Sequence, residues 1–397
     1  MIKSEIGVKI LTADWILPVV SGPVSHGAVF IENGRIIDAG ERDRILSIYR
    51  APVHDFGEAV IVPAWVNAHT HLELSFLSSD RLPTGSFVDW VREVVRLSSR
   101  ERDPESRAQA VRDAVREMED SGTVLAGDIT NGSLLVDPVA GKKLDREVFF
   151  ELLGFQEERA EQLLSEALEE KKRLNPSARI TPHAVYSVSP GLLKAINALG
   201  EQLSIHIAET VEESRFIAYG DGPMKTFLEE RGVWDADWTV PGTTPLHYLA
   251  GSGLVREGAL LVHCVQTDEA DLQIIKRNGA VVCLCPRSNE QLNTGRAPVQ
   301  KMLDAGISVC VGTDSRASSP DLDVSNELKF LAEQYHVEDN GALIRMATLN
   351  GAKGLGREAD YGSLEPGKRA RLNVFSGRTE DPEAFVVHKL WSRLIRV

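Results

Sequence analysis

The sequence predicts an α/β fold, a (β/α)8 barrel of the TIM type, with a small β domain formed by both chain ends. Three observations predict it. Strand-like and helix-like segments alternate about eight times through the middle of the chain, as a parallel sheet with outer helices requires. Segments read as strands alone lie at both ends. Histidines recur where the central strands finish, the rim at which such barrels place their active sites. A doubly wound open sheet is the alternative for the central part.

The N-terminal part, residues 1–58, reads as strands. Val8-Leu11 and Ala28-Ile31 are short apolar runs, and Asn33-Gly34 is a hairpin turn signal before Ile36-Ile37. A helical pattern first appears at Arg42-Tyr49. The barrel is expected over residues 59–366. Ala59-Asn67 is its first strand, followed by helices at Phe87-Leu97 and Glu105-Asp120. Strands follow at Thr123-Thr130, Glu147-Gly154, Arg179-Ser187, Leu203-Glu209, Ala259-Val265, Ala280-Cys285 and Ile307-Gly312, with helices between them. Residues 367–397 return to strands at Ala370-Phe375, Phe385-His388 and Leu394-Val397, which pair with the N-terminal part.

Composition narrows the class. The chain has 397 residues, 43% hydrophobic and 26% charged, which excludes wholesale disorder. A net charge of −14 argues against nucleic acid as a partner. Four cysteines in this length are not a disulfide scaffold, and buried free thiols explain them. The first apolar run is broken by Lys9, Thr12, Ala13 and Asp14, so neither a signal peptide nor a membrane anchor is expected. A cytoplasmic protein without membrane partners is the expectation.

The chemistry sits at the strand ends. His69 and His71 are two apart, so on a strand they point to the same side. His206, with Glu209 three residues on, ends another strand, His263 a third and Asp314 a fourth, and His183 lies in the strand read at Arg179-Ser187. A lone His-x-His is a weak signal, and any one of these residues is readily explained as a hydrogen-bonded polar group. Together on one barrel face they suit one divalent ion, Zn²⁺ or Fe²⁺, with a position left for water.

Four motifs then carry a resemblance over the whole chain: Pro63-Ala64-Trp65-Val66-Asn67-Ala68-His69-Thr70-His71, Ile205-His206-Ile207-Ala208-Glu209-Thr210, Leu261-Val262-His263-Cys264 and Gly312-Thr313-Asp314-Ser315. They resemble the amidohydrolase superfamily, in its branch with one metal ion that deaminates aminopurine and related rings, and the β pieces at the two chain ends resemble that superfamily's small composite β-sandwich. Consistent with that branch, no bridging lysine lies in Thr123-Thr130 or Glu147-Gly154. The resemblance implies metal ligands His69, His71, His206 and Asp314. It implies that Glu209 carries a proton to the ring nitrogen, that His263 orients the attacking water and that His183 contacts substrate. Asp314 is suited to accept the water's proton. Homodimers are common among such proteins.

Two further stretches narrow the substrate. Glu73 in Leu72-Glu73-Leu74-Ser75, and Trp90 in Thr84-Gly85-Ser86-Phe87-Val88-Asp89-Trp90-Val91, resemble the aminodeoxyfutalosine deaminases of menaquinone biosynthesis. The implied substrate is an aminopurine nucleoside bearing a benzoate. Deamination of methylthioadenosine, S-adenosylhomocysteine or adenosine, or hydrolysis of a cyclic amide or triazine, are the alternatives. Arg287 and Arg296 lie after the seventh barrel strand on a loop expected to face the pocket, where one of them is expected to pair with the benzoate carboxylate, surface arginines being the alternative. His247 is expected to pack structurally.

Overall fold

A computed structural model describes residues 7–100, 103–132, 144–388 and 394–396. The first strand, β1 (Lys9–Ile16), runs antiparallel to β2 (Val24–Glu32), with Lys9 opposite Ile31 and Ile16 opposite Val24. β2 turns into β3 (Arg35–Glu41) through Asn33 and Gly34, whose φ angles of 50° and 73° match the left-handed turn that suits two twisted strands. The helix Arg42–Ile48 buries Ile45 against Ile10, Ala28 and Phe30 on one sheet face. On the other face Leu11, Val29, Ile31 and Ile36 pack with Leu364, Leu372 and Val374 from the far end of the chain.

β4 (Val53–Asp55) and β5 (Ala59–Pro63) both lie parallel to β1, at different points along it. The apolar run expected as the first barrel strand is thus divided. Ala59–Pro63 belongs to the terminal sheet, and the run resumes after Ala64 as β6 (Trp65–Thr70). Both halves are fully buried, so their pattern has no period that would assign them to one sheet or the other.

From β6 onward the chain alternates. β6, β7 (Thr123–Thr130), β8 (Asp145–Leu152) and β9 (Arg179–Pro182) form a four-stranded parallel sheet. β10 (Leu203–Ile207), β11 (Ala259–His263), β12 (Val281–Leu284) and β13 (Val309–Val311) form a second. Parallel bridges link the two at both edges, Ala184 to His206 and Thr70 to Asp314. Val66, Leu125, Phe149, Leu260, Val262 and Val281 pack together as one core contributed by both sheets. Larger apolar residues between strands and helices, among them Phe216, Leu249, Met302 and Leu331, make a second core. All four cysteines are buried and free.

The chain closes with β14 (Leu372–Ser376), antiparallel to β5, and β15 (Leu394–Arg396), antiparallel to β14. Both chain ends thereby share one seven-stranded sheet. Two expected strands differ. Phe385–His388 is the end of a helix, Pro382–His388, because Asp381 accepts the Ala384 N–H at 3.0 Å and Pro382 suits a first helical turn. The strand expected over Arg179-Ser187 stops at Pro182, and His183 lies in the turn that leads to the Ser189 cap of the next helix.

Candidate active site

The two parallel bridges set the site. Thr70 Oγ1 donates to the Asp314 carbonyl at 2.9 Å, and the Asp314 N–H donates to the His69 carbonyl at 3.1 Å. Asn67 and Thr313 exchange a second pair of bonds, at 2.7 and 3.1 Å. The end of β6 is therefore locked against the residues after β13, and His69, His71 and Asp314 converge. The second bridge brings His206 in from β10. Four non-glycine residues at these strand ends have left-handed backbone: Ala208 (φ 51°), His263 (76°), Cys264 (48°) and Asp314 (57°). Each such residue costs about 1–2 kcal/mol, and strain of this kind gathers where side chains must be aimed.

One ring nitrogen each of His69, His71 and His206 lies within 4.8 Å of the others. His71 Nε2 and His206 Nε2 are 3.2 Å apart, and Asp314 Oδ1 lies 3.6 Å from His71 Nε2 and 3.9 Å from His69 Nε2. The His206 Nδ1 faces the His183 carbonyl at 3.0 Å, which puts the proton on Nδ1 and turns the Nε2 lone pair to the centre. His69 Nε2 is buried without a hydrogen-bond partner among the described residues. Burial holds His71 down to about 3 and His69 and His206 below the usual histidine range, so all three are neutral, the form that ligates a metal. Ser288 and Ser318 hydroxyls each donate to Asp314 Oδ2 at 2.7 Å. Burial pushes Asp314 up, but His71, His263 and these two hydroxyls outweigh it and keep the carboxyl below its usual value. Three neutral imidazoles and one carboxylate, with an orphaned nitrogen at their centre, fit a divalent ion.

Beside this cluster lie Glu209 and His263, with Oε1 and Nε2 3.6 Å apart. Burial pushes Glu209 well above the usual carboxyl range, and the negative charges of Asp314 and Glu213 add to the effect, which favours its protonated form. Asn289 Nδ2 donates to His263 Nδ1 at 3.1 Å, which leaves the N–H on Nε2, the nitrogen nearer Glu209. Glu213 accepts the backbone N–H groups of Ala208 and Glu209 at 3.1 and 2.8 Å and so fixes the turn that presents Glu209.

These groups end a cavity of about 610 Å³. His71, His206, Glu209, His263 and Asp314 line it, with Glu73, Asn131, Glu151 and His183, and with an apolar group that includes Phe87, Trp90, Val94, Phe155 and Phe227. His183 Nδ1 is 2.6 Å from Ser187 Oγ. Glu73 accepts from Thr130 Oγ1 at 2.7 Å and the Asn131 N–H at 3.1 Å. Trp90 donates its indole N–H to the Ala317 carbonyl at 3.0 Å.

The two expected arginines are not in the cavity wall. Pro286 opens a short helix, Pro286–Gln291, that buries Ser288 and Asn289 toward the site and so turns Arg287 away. Arg287 instead makes two 2.7 Å bonds to Asp321 and lies 3.6 Å from buried Glu327. Arg296 donates to the Gln334 carbonyl at 2.7 Å and covers the Tyr335 ring. His247 lies beside Asp271 at 3.2 Å, outside the cavity lining. Sequence reasoning missed Glu151, Asn131 and Glu213. The last had a signal, since Thr210-x-x-Glu213 has the spacing of a helix-capping box, and Thr210 Oγ1 does accept the Glu213 N–H at 3.0 Å.

Known proteins resemble this chain over most of its length. An aminodeoxyfutalosine deaminase of Deinococcus radiodurans is 30% identical over 370 residues, which cover 89% of this chain and 87% of the relative. A 5-methylthioadenosine/S-adenosylhomocysteine deaminase of Desulforudis audaxviator is 29% identical over 402 residues, covering 96% and 87%. The crystal structure of Helicobacter pylori aminofutalosine deaminase in complex with methylthio-coformycin matches with a TM-score of 0.84 and 25% identity, covering 98% of this chain and all of that one. The amidohydrolase family pattern matches residues 60–392. The chain therefore belongs to the amidohydrolase family and is a hydrolase acting on C–N bonds.

Proposed function

We propose that this chain deaminates an aminopurine nucleoside by hydrolysis, on a (β/α)8 barrel that binds one divalent ion through His69, His71, His206 and Asp314. The two bridged parallel sheets support the barrel, and the seven-stranded sheet supports a composite domain joined to it at Ala64. When bound, the ion supplies an acidified water, ionising near pH 7 (about 7 in well-studied sites). Glu209 holds the proton that the ring nitrogen receives, which makes the amino-bearing carbon electrophilic. The His263 Nε2–H orients the attacking oxygen. Asp314 Oδ1 takes the first proton that water loses and returns it to the departing amine, and the hydroxyl proton left on the attacked carbon goes back to Glu209, so water enters, ammonia leaves and the acid is restored. His183 and Glu73 contact the nucleoside.

The observation that carries this reading is the buried Glu209 beside His263, 3.6 Å apart and facing the proposed metal cluster at the end of one cavity. Hydrolysis of a neutral amide needs no such ring-protonating acid. The names of the relatives in Deinococcus radiodurans and Desulforudis audaxviator point the same way. For the substrate we propose a 6-amino-6-deoxyfutalosine-like nucleoside. Phe87 and Trp90, with ring centroids 5.8 Å apart in the cavity wall, suit an aromatic substituent. Arg287 and Arg296 lend it no support.

The test is ammonia release, with the ultraviolet shift of aminopurine to oxopurine, across a panel of this nucleoside, methylthioadenosine, S-adenosylhomocysteine, adenosine and an aminated triazine. Fastest turnover of the first is expected. Turnover of the triazine alone would replace deamination of nucleosides. Metal analysis should find about one zinc or iron ion per chain, with chelation abolishing turnover and the ion restoring it. Two tightly held ions in active protein would overturn the single-ion site.

A further inference from the structure

Glu151, near the end of β8, has no part in the mechanism above, yet it lines the cavity and is only 4% exposed. Its Oε2 accepts from Asn131 Nδ2 at 2.9 Å. The Asn131 N–H in turn donates to Glu73 Oε1 at 3.1 Å, so one asparagine ties two cavity carboxyls together. The other oxygen, Oε1, is buried and has no hydrogen-bond partner among the described residues. An acceptor left in that state costs about 1–3 kcal/mol.

The nearest donor is His206 Nδ1, 3.4 Å away, but its single proton already goes to the His183 carbonyl at 3.0 Å. A second metal ion held by Glu151, His183 and His206 is disfavoured by the same bonds. His206 directs its Nε2 to the first cluster, and His183 Nδ1 is taken up by Ser187. What remains for Oε1 is a donor brought by a ligand. Glu151 stands beside both a metal-binding histidine and His183, so a ligand whose base reaches the metal cluster would place its sugar nearby. A sugar presents neutral hydroxyl donors.

Resting on the proposed function, we infer that Glu151, held by Asn131, receives a ribose hydroxyl of the substrate and makes the enzyme select ribonucleosides. The experiment takes the ribonucleoside substrate identified by the panel, with its 2′-deoxy and 3′-deoxy forms. It measures kcat and KM for wild type, Glu151→Ala, Glu151→Gln and Asn131→Ala, and the metal content of each. Wild type should prefer the ribose form over one deoxy form by about 10- to 100-fold, the range for leaving a buried polar group without its partner. Glu151→Ala should bring that preference close to unity, chiefly by raising KM for the ribose form, with metal content unchanged. In Glu151→Gln, Asn131 would hold the amide oxygen and turn an N–H to the place of Oε1. An intermediate preference is expected there, and also in Asn131→Ala, so the test does not depend on the alanine variant folding. Equal losses for ribose and deoxy forms, or loss of the metal, would make Glu151 a support for His206 and overturn the inference. If no nucleoside in the panel is deaminated, the functional reading itself fails and takes this inference with it.

Discussion

Removing Glu213 should disable the enzyme without touching the proposed metal ligands. This residue is fully buried, and its two carboxylate oxygens accept from consecutive backbone N–H groups, those of Ala208 and Glu209. Ala208 lies at a φ of 51°, a conformation that alanine avoids by about 1–2 kcal/mol and that needs holding. Each hydrogen bond to a charged acceptor contributes about 1.5–3 kcal/mol, so Glu213→Ala forfeits about 3–6 kcal/mol before any water enters. Water reaching the emptied space would recover part of this, and a net loss of about 3–4 kcal/mol is expected. Burial pushes Glu213 up to about 7, with the backbone amides pulling the other way, so urea unfolding is best compared at pH 8, where the carboxylate is ionised. Glu213→Gln keeps one acceptor but sets an amide N–H against the second backbone N–H, so its loss should be no smaller. Because the clamp holds the backbone of Glu209, kcat should fall while the metal stays on His206. A loss below about 1 kcal/mol with normal kcat would refute the clamp.

Glu209→Gln should retain the metal while kcat falls by about 10² or more, and loss of the metal would reassign Glu209. Arg287→Ala should cost about 3 kcal/mol of stability, because Asp321 and buried Glu327 lose their guanidinium, with KM little changed. Exposed Arg296→Ala should stay within about 0.5 kcal/mol, and a rise in KM confined to carboxylate-bearing nucleosides in either variant would return that arginine to the substrate. Asp38 is held below the usual carboxylate value by its paired bonds to Arg44, so its contribution is full above about pH 4 and is lost as pH falls through the lowered value. Asp38→Asn should therefore cost about 1 kcal/mol at pH 7, discounted for exposure, and match wild type near about pH 2; a gap that persists in acid would assign the loss to packing.

Readings that depended on local geometry transferred well from sequence to structure. His69 and His71 share a side because a strand alternates, and Asn33-Gly34 turns because both residues tolerate positive φ. Readings that depended on which way a residue faces across a helix or between sheets did not. Ala59–Pro63 and Trp65–Thr70 are equally buried, so only long-range pairing decides their sheets. Arg287 follows a strand end, but the short helix that begins at Pro286 turns its side chain toward Asp321. In Phe385–His388, a capping aspartate and a proline outweigh two valines that favour strands. Glu151 belongs to no motif, and its orphaned oxygen exists only once Asn131, His183 and His206 have been brought around it.

The sheet shared by the two chain ends bears on how the protein is made. β5 sits between β1 and β14, and β14 is translated more than three hundred residues later. Until then the outer edge of a wholly apolar strand emerges from the ribosome with its hydrogen-bonding groups unmatched, which is a template for pairing with other nascent chains. Ala64, the single residue between β5 and β6, also waits, because its N–H is answered by the Arg371 carbonyl. A strand far along the sequence thus seals an edge laid down near the start of it, and that edge stays open while the chain between them is synthesised.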